Sequence, residues 1–239
     1  MLTFHVNCCV EKNKSFLKEY FSKLPLGWIA LVALFAGAVF LFTYLVHEVF
    51  GEQQDLVDQN IFHYLAAHVI NDRLTRFMRS VTYFASARFL QIAYAGVFIF
   101  YLVIRNFKRA MEIVAIGAGG FIINYFMKLA FHRVRPPNPL IARLYNFSFP
   151  SGHATSGFIF YGTLAYLVWK TDIRQAYKVV FASIFILFSL LIGFSRVYLR
   201  VHYPSDVVAG FCLGFGWLLL CIVLLEKLKK KAHIEQERK

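Results

Sequence analysis

Long uncharged apolar runs alternate along the chain with short polar connections, most of them basic. A run approaching the ~20 apolar residues that cross a bilayer reads as a transmembrane helix. Six are predicted, over 26–46, 89–104, 113–127, 154–169, 179–194 and 207–225. The second and the two middle runs lie near the lower limit of roughly 17 residues, so flanking residues extend their ends. Lipid also permits closed barrels, but their strands alternate in short segments, whereas these runs are continuously apolar and rich in Leu, Ala and Phe. The stretch 47–88 is too polar to cross and is amphipathic in pieces. Ile61, Leu65 and Val69 form one stripe and Leu74, Phe77, Met78 and Val81 another, which predicts interfacial helices over the outer face. Ahead of the first span, Phe16, Leu17, Tyr20, Phe21 and Leu24 recur at helical spacing among lysines, as on an inner membrane surface. The expected fold is therefore all-α: a six-transmembrane-helix bundle with interfacial helices between spans one and two. It forms one domain over 1–239, with cytoplasmic tails at 1–24 and 226–239.

Composition supports lipid as the solvent. Hydrophobic residues make up 59% of the chain, aromatics 18% and charged residues 16%, outside the range of an ordinary soluble domain. The first apolar core is too long for a signal peptide and no small-residue cleavage site follows it, so it reads as a retained anchor. Six Lys and Arg follow residue 225, four precede residue 24, and three each occupy 105–109 and 170–178. Six spans place these four regions on one face, and short basic connections mark it as cytoplasmic. Ten basic residues lie opposite, five of them being Lys128, Arg133, Arg135, Arg196 and Arg200. Anion binding explains that exception to the charge rule. The net charge of +13 thus suits anionic lipid headgroups inside and phosphate outside, and not nucleic acid. Cys8, Cys9, Cys212 and Cys221 all lie away from the outer loops, so neither a disulfide framework nor metal-ligand spacing is expected. No cofactor is implied.

Three polar segments carry the chemistry. Lys128 to Pro136 reads K-x6-R-P, Pro150 to His153 reads P-S-G-H, and Ser195 to Asp206 reads S-R-x5-H-x3-D. They follow span three, precede span four and link spans five and six, so parity puts all three on the outer face. Pro204 fits the first turn of a helix, which sets His202 just before span six and Asp206 inside its first turn. A hydrogen bond from one imidazole nitrogen to Asp206 fixes the tautomer and leaves the other nitrogen able to attack. Ser151 suits an N-cap, Gly152 allows close approach of backbone to a ligand, and the unpaired amides of a helix start face an anion. His153 is placed to donate a proton to a leaving group. Lys128, Arg135 and Arg196 supply the positioned cations that phosphoryl transfer needs across its equatorial oxygens.

Together the three motifs resemble the type 2 phosphatidic acid phosphatase (PAP2) superfamily, with no motif position missing between Lys128 and Asp206. The resemblance implies His202 as the nucleophile that forms a phosphohistidine, Asp206 as its support and His153 as general acid. It implies Lys128, Arg135, Ser151, Gly152 and Arg196 as phosphate binders, with no metal. His132, Arg133 and Arg200 fall outside the motif set and are left unassigned.

The expected activity is hydrolysis of a membrane lipid phosphate: phosphatidylglycerol phosphate, phosphatidic acid or a polyprenyl diphosphate. Two alternatives stand beside it, phosphotransfer to a lipid hydroxyl and a phosphate-binding carrier without turnover. Carriers bury charges within their spans, whereas here Glu112 and Asn124 are the main polar groups approaching the interior.

Overall fold

The computed structural model describes residues 26–51 and 56–237. The predicted surface helix before residue 24 and the Cys8-Cys9 pair lie outside them. Among the described residues all regular structure is helical. The helices are α1 (Leu26–Val46), α2 (Leu56–His68), α3 (Asp72–Tyr83), α4 (Ala87–Val103), α5 (Phe107–Phe131), α6 (Gly152–Trp169), α7 (Gln175–Tyr198) and α8 (Pro204–Glu237), with a π-turn at His47–Gly51 after α1. Two compact units divide at Gly37, within α1. The described part of the first is a bare helical stretch, and the second holds everything below.

All six apolar runs are helices, several longer than expected because polar residues cap them. Asn106 accepts a hydrogen bond from the amide of Arg109 and starts α5 six residues before the predicted 113. His132, with φ 47°, ends it in a left-handed turn whose N–H bonds to the carbonyl of Lys128. The expected tail after residue 225 continues α8 as helix.

Four helical stretches are long and apolar enough to cross a membrane: Ile29–Gly51, Phe107–Phe131, Gln175–Tyr198 and Pro204–Lys229. The pair α3 and α4, bent by 44°, is a fifth candidate. Helix α6 is not among them, and its surroundings give the reason. It packs against α4, α5, α7 and α8, burying Ala154, Thr155, Gly157 and the run from Ile159 to Thr163. A helix enclosed by other helices need not be apolar all round. Its 18 residues extend about 27 Å, close to the thickness of the ~30 Å hydrocarbon layer.

The segment 47–88 holds two helices, α2 and α3, with the predicted stripes partly shifted. In α2 the buried face is Asp58, Phe62 and Leu65, while Ile61 points outward. In α3 it is Met78, Val81 and Thr82, while Phe77 is exposed. Phe62 and Leu65 pack on Ala154, Val197 and Val207, and Met78 packs on Tyr198, Leu199 and Val201. Both helices thus brace the ends of α6, α7 and α8 where the second and third motifs lie.

At the opposite ends of these helices a second polar cluster forms. Glu112 is paired with Arg109 at 3.0 Å and Lys229 at 3.2 Å, and Glu226 with Lys170 at 3.0 Å. Tyr166 donates to Glu226 at 2.6 Å. These are the basic regions that the charge pattern placed on one face.

Candidate active site

Each motif arrives at the end of a helix. Lys128 occupies the last turn of α5, Ser151 caps α6 by accepting from the Ala154 amide at 3.4 Å, Arg196 lies in the last turn of α7, and Asp206 lies in the first turn of α8. Backbone contacts then lock the segments together. The Ser151 amide donates to the carbonyl of Asp206 at 2.9 Å, the Ser148 amide to that of Arg133 at 2.8 Å, and the Leu140 amide to that of Leu199 at 3.0 Å. Arg79 of α3 also donates to the Leu140 carbonyl. Close approach of α8 to α6 depends on Gly210, where a Cβ would stand 2.8 Å from the Ser151 carbonyl oxygen.

His202 is 1% exposed and Asp206 is fully buried. His202 Nδ1 lies 3.4 Å from Asp206 Oδ2, and Ser148 Oγ bridges the two, 3.3 Å from Nδ1 and hydrogen-bonded to Oδ2. The histidine–aspartate link expected as direct is therefore shared with a serine that no motif signalled. On the far side of the ring, Nε2 stands 3.1 Å from Arg135 Nη1. A guanidinium only donates, so Nε2 is the acceptor and the proton of the neutral ring sits on Nδ1. Burial, then Arg135, Arg196 and Lys128, hold the His202 pKa well below 6.5, against a smaller opposing hydrogen bond at the Ser148 backbone. The ring is neutral at physiological pH, with its nucleophilic lone pair facing the cations.

Those cations are three. Arg196 is 2% exposed; it donates to Thr82 Oγ1 at 2.7 Å, and its Nε has no acceptor among the described residues. Arg135 donates to the carbonyls of Asn146 and Val201 at 2.8 and 2.6 Å, and burial lowers its pKa to about 10, still protonated at neutral pH. Lys128 Nζ donates to the Phe147 carbonyl at 2.8 Å. His153 lies within electrostatic range of Arg196, His202, Arg135 and Lys128. Buried Arg196, His202, Asp206 and Ser151 form the floor, and half-buried Lys128, Arg135, Gly152 and His153 form the rim. All eight residues singled out in the sequence thus meet in one place. Behind Gly152, a Cβ would stand 3.2 Å from Asn124 Oδ1, an amide fixed by its bond to Thr155.

The three unassigned residues part ways. His132 stacks edge-on against Phe147, and Arg200 lies over the Phe62 ring at 5.3 Å. Arg133 enters the site, with Nη1 2.6 Å from Asp206 Oδ1 and Nη2 2.9 Å from Asp58 Oδ2. Asp58 and Thr82 come from the two brace helices, and nothing in their sequence stripes marked them as polar partners of the motifs. The resulting charge count is informative. Lys128, Arg133, Arg135 and Arg196 are four basic side chains against the two carboxylates Asp58 and Asp206, a formal excess of two positive charges when Lys128 is protonated.

The sequence pattern of the PAP2 superfamily matches residues 109–230, the stretch that holds all three motifs. The chain belongs to that superfamily. Among PAP2 relatives it is 30% identical over 162 residues to phosphatidylglycerophosphatase B of Bacillus subtilis, covering 66% of this chain and 78% of that protein. It is 32% identical over 110 residues to an undecaprenyl-diphosphatase of Sulfolobus acidocaldarius, covering 44% of this chain and 47% of that one. The crystal structure of a transmembrane PAP2-type phosphatidylglycerolphosphate phosphatase from Bacillus subtilis superposes with a TM-score of 0.71 at 25% identity, over 81% of this chain and 96% of the other. The chain therefore has the fold of the PAP2 membrane lipid phosphatases.

Proposed function

We propose that this PAP2 protein is a metal-independent lipid phosphatase that works as one unit of six spans, with both termini cytoplasmic and the site at the extracytoplasmic end. The observation that carries the reading is the pocket's surplus of basic side chains over carboxylates, formally two positive charges with Lys128 protonated, beside a neutral, buried His202. A phosphate monoester dianion supplies the missing two negative charges. Lys128, Arg135 and Arg196, with the Gly152 and His153 amides at the start of α6, hold the three equatorial oxygens. Their stabilisation strengthens as charge spreads in the transition state.

The reaction proceeds in two steps. Nε2 of His202 attacks phosphorus, Asp206 and Ser148 support the imidazolium that develops, and His153, which takes up a proton from solvent once the dianion offsets the surrounding cations, gives that proton to the leaving oxygen. Water activated by the now neutral His153 then breaks the phosphohistidine. Lipid enters from the side, since the outward faces of α5, α7 and α8 are apolar at Phe121, Leu187 and Val208. The names of the relatives support phosphatidylglycerol phosphate or a polyprenyl diphosphate as substrate, and phosphatidic acid shares the same monoester headgroup.

The test is phosphate release from these three lipids by purified full-length protein in detergent micelles, with and without EDTA. Release that persists in EDTA and disappears in His202→Ala is expected. An active His202→Ala protein, or activity abolished by the chelator, overturns the mechanism.

A further inference from the structure

We infer that Arg133, anchored by Asp58 of α2, is a positioning residue that aims the Asp206 carboxylate at His202, a role resting on the phosphatase reading above. Arg133 is buried, its guanidinium plane lies 4.0 Å from the Tyr203 ring centre, and its fork divides between two acids. Nη1 takes Asp206 Oδ1 at 2.6 Å and Nη2 takes Asp58 Oδ2 at 2.9 Å. Ser205 closes the ring: its Oγ accepts from Arg133 at 2.7 Å and donates to Asp58, whose Oδ1 accepts from the Ser205 amide at 3.0 Å. With Oδ1 of Asp206 held this way, its other oxygen is fixed toward Ser148, the Tyr203 amide and His202. The carboxylate cannot rotate away from the imidazole without breaking the fork.

Asp58 solves an electrostatic problem that Arg133 creates. A lone guanidinium on Asp206 would oppose the imidazolium that forms when His202 attacks. Paired with Asp58, Arg133 contributes geometry with almost no net charge. Buried ion pairs of this kind add little stability against an apolar substitute, and what they supply is a defined arrangement. The arrangement here joins three segments, α2, the loop after α5 and the first turn of α8.

The experiment uses the full chain in micelles with the best substrate of the lipid panel, and orthovanadate as a probe of the phosphate pocket. Arg133→Gln lowers kcat by about 10²-fold, the penalty of misplacing a catalytic group. KM and the orthovanadate inhibition constant stay within about threefold, because Lys128, Arg135 and Arg196 are untouched. Arg133→Lys keeps the charge without the fork and is also impaired, by about 10-fold or more. In an Asp206→Asn background, Arg133→Gln changes kcat by less than about threefold, since residues acting as a unit are not additive. Asp58→Asn, which keeps side-chain shape, lowers kcat by about 10-fold while the protein still elutes as folded. Wild-type turnover in Arg133→Gln or Asp58→Asn overturns the role, as does a full multiplicative loss of Arg133→Gln on top of Asp206→Asn. A wild-type chain that releases phosphate from no lipid overturns the phosphatase reading itself.

Discussion

Arg196 reaches from the last turn of α7 to donate to Thr82 Oγ1 of α3 at 2.7 Å, while its buried Nε has no acceptor among the described residues. A guanidinium withdrawn from water with one neutral partner is poised for an anion. Arg196→Gln is expected to lower kcat by about 10²–10³. Thr82→Val removes only the orienting bond, and a smaller loss of about 10-fold is expected. Phosphate release measures both, and equal losses would show that Thr82 does more than orient.

His202 should stay neutral where ordinary histidines titrate, because burial and then Arg135, Arg196 and Lys128 keep its proton off. NMR of ring-labelled histidine in the free protein reads this directly, and a titration near 6.5 contradicts it. The same shift has a sign for stability. Below about 6.5 the unfolded ring takes up a proton that the folded ring refuses, so stability falls as pH drops. The loss is at most ~1.4 kcal/mol per pH unit. Thermal unfolding of wild type against His202→Gln isolates it, with the variant losing less between neutral and acid pH.

Gly210→Ala forces a methyl to within 2.8 Å of the Ser151 carbonyl oxygen and 3.0 Å of Ala154 Cβ. Backbone on one side cannot yield easily, so a destabilisation of about 1–3 kcal/mol is expected, together with reduced turnover because Ser151 moves. Gly96→Ala meets nothing within 4 Å and serves as the control. Loss of thermal stability in the control as large as in Gly210→Ala would disprove the close-approach argument.

Tyr145 is 94% exposed in the loop between α5 and α6. A cysteine in its place should react with a membrane-impermeant maleimide added to intact cells, above the background of the unsubstituted chain. Protection until the cells are opened reverses the proposed orientation.

The long apolar helices were legible because lipid imposes one constraint on every residue they expose, and a charge anywhere in a run interrupts it. The meeting of the motif residues was legible because several cations and two imidazoles spaced in the order of the PAP2 pattern are a combination that chance seldom assembles. Asp58, Thr82 and Ser148 were not. Their partners lie far along the chain, 54 positions from Ser148 to His202, 75 from Asp58 to Arg133 and 114 from Thr82 to Arg196, and a lone Asp, Thr or Ser in an amphipathic stretch has many ordinary uses. Arg133 sat inside the first motif yet gave no sign of its role, because spacing does not reveal that the neighbouring guanidinium at 135 turns to His202 while this one turns to Asp206.

Helix α6 begins at the turn capped by Ser151 and packs against four other helices. Its glycines, threonines and His153 make it a poor guest for hydrocarbon when separated from them. During biogenesis such a segment is expected to leave the translocon in company, paired with α5 or α7, so the turn at Ser151 and the bilayer-embedded scaffold come into being in the same event.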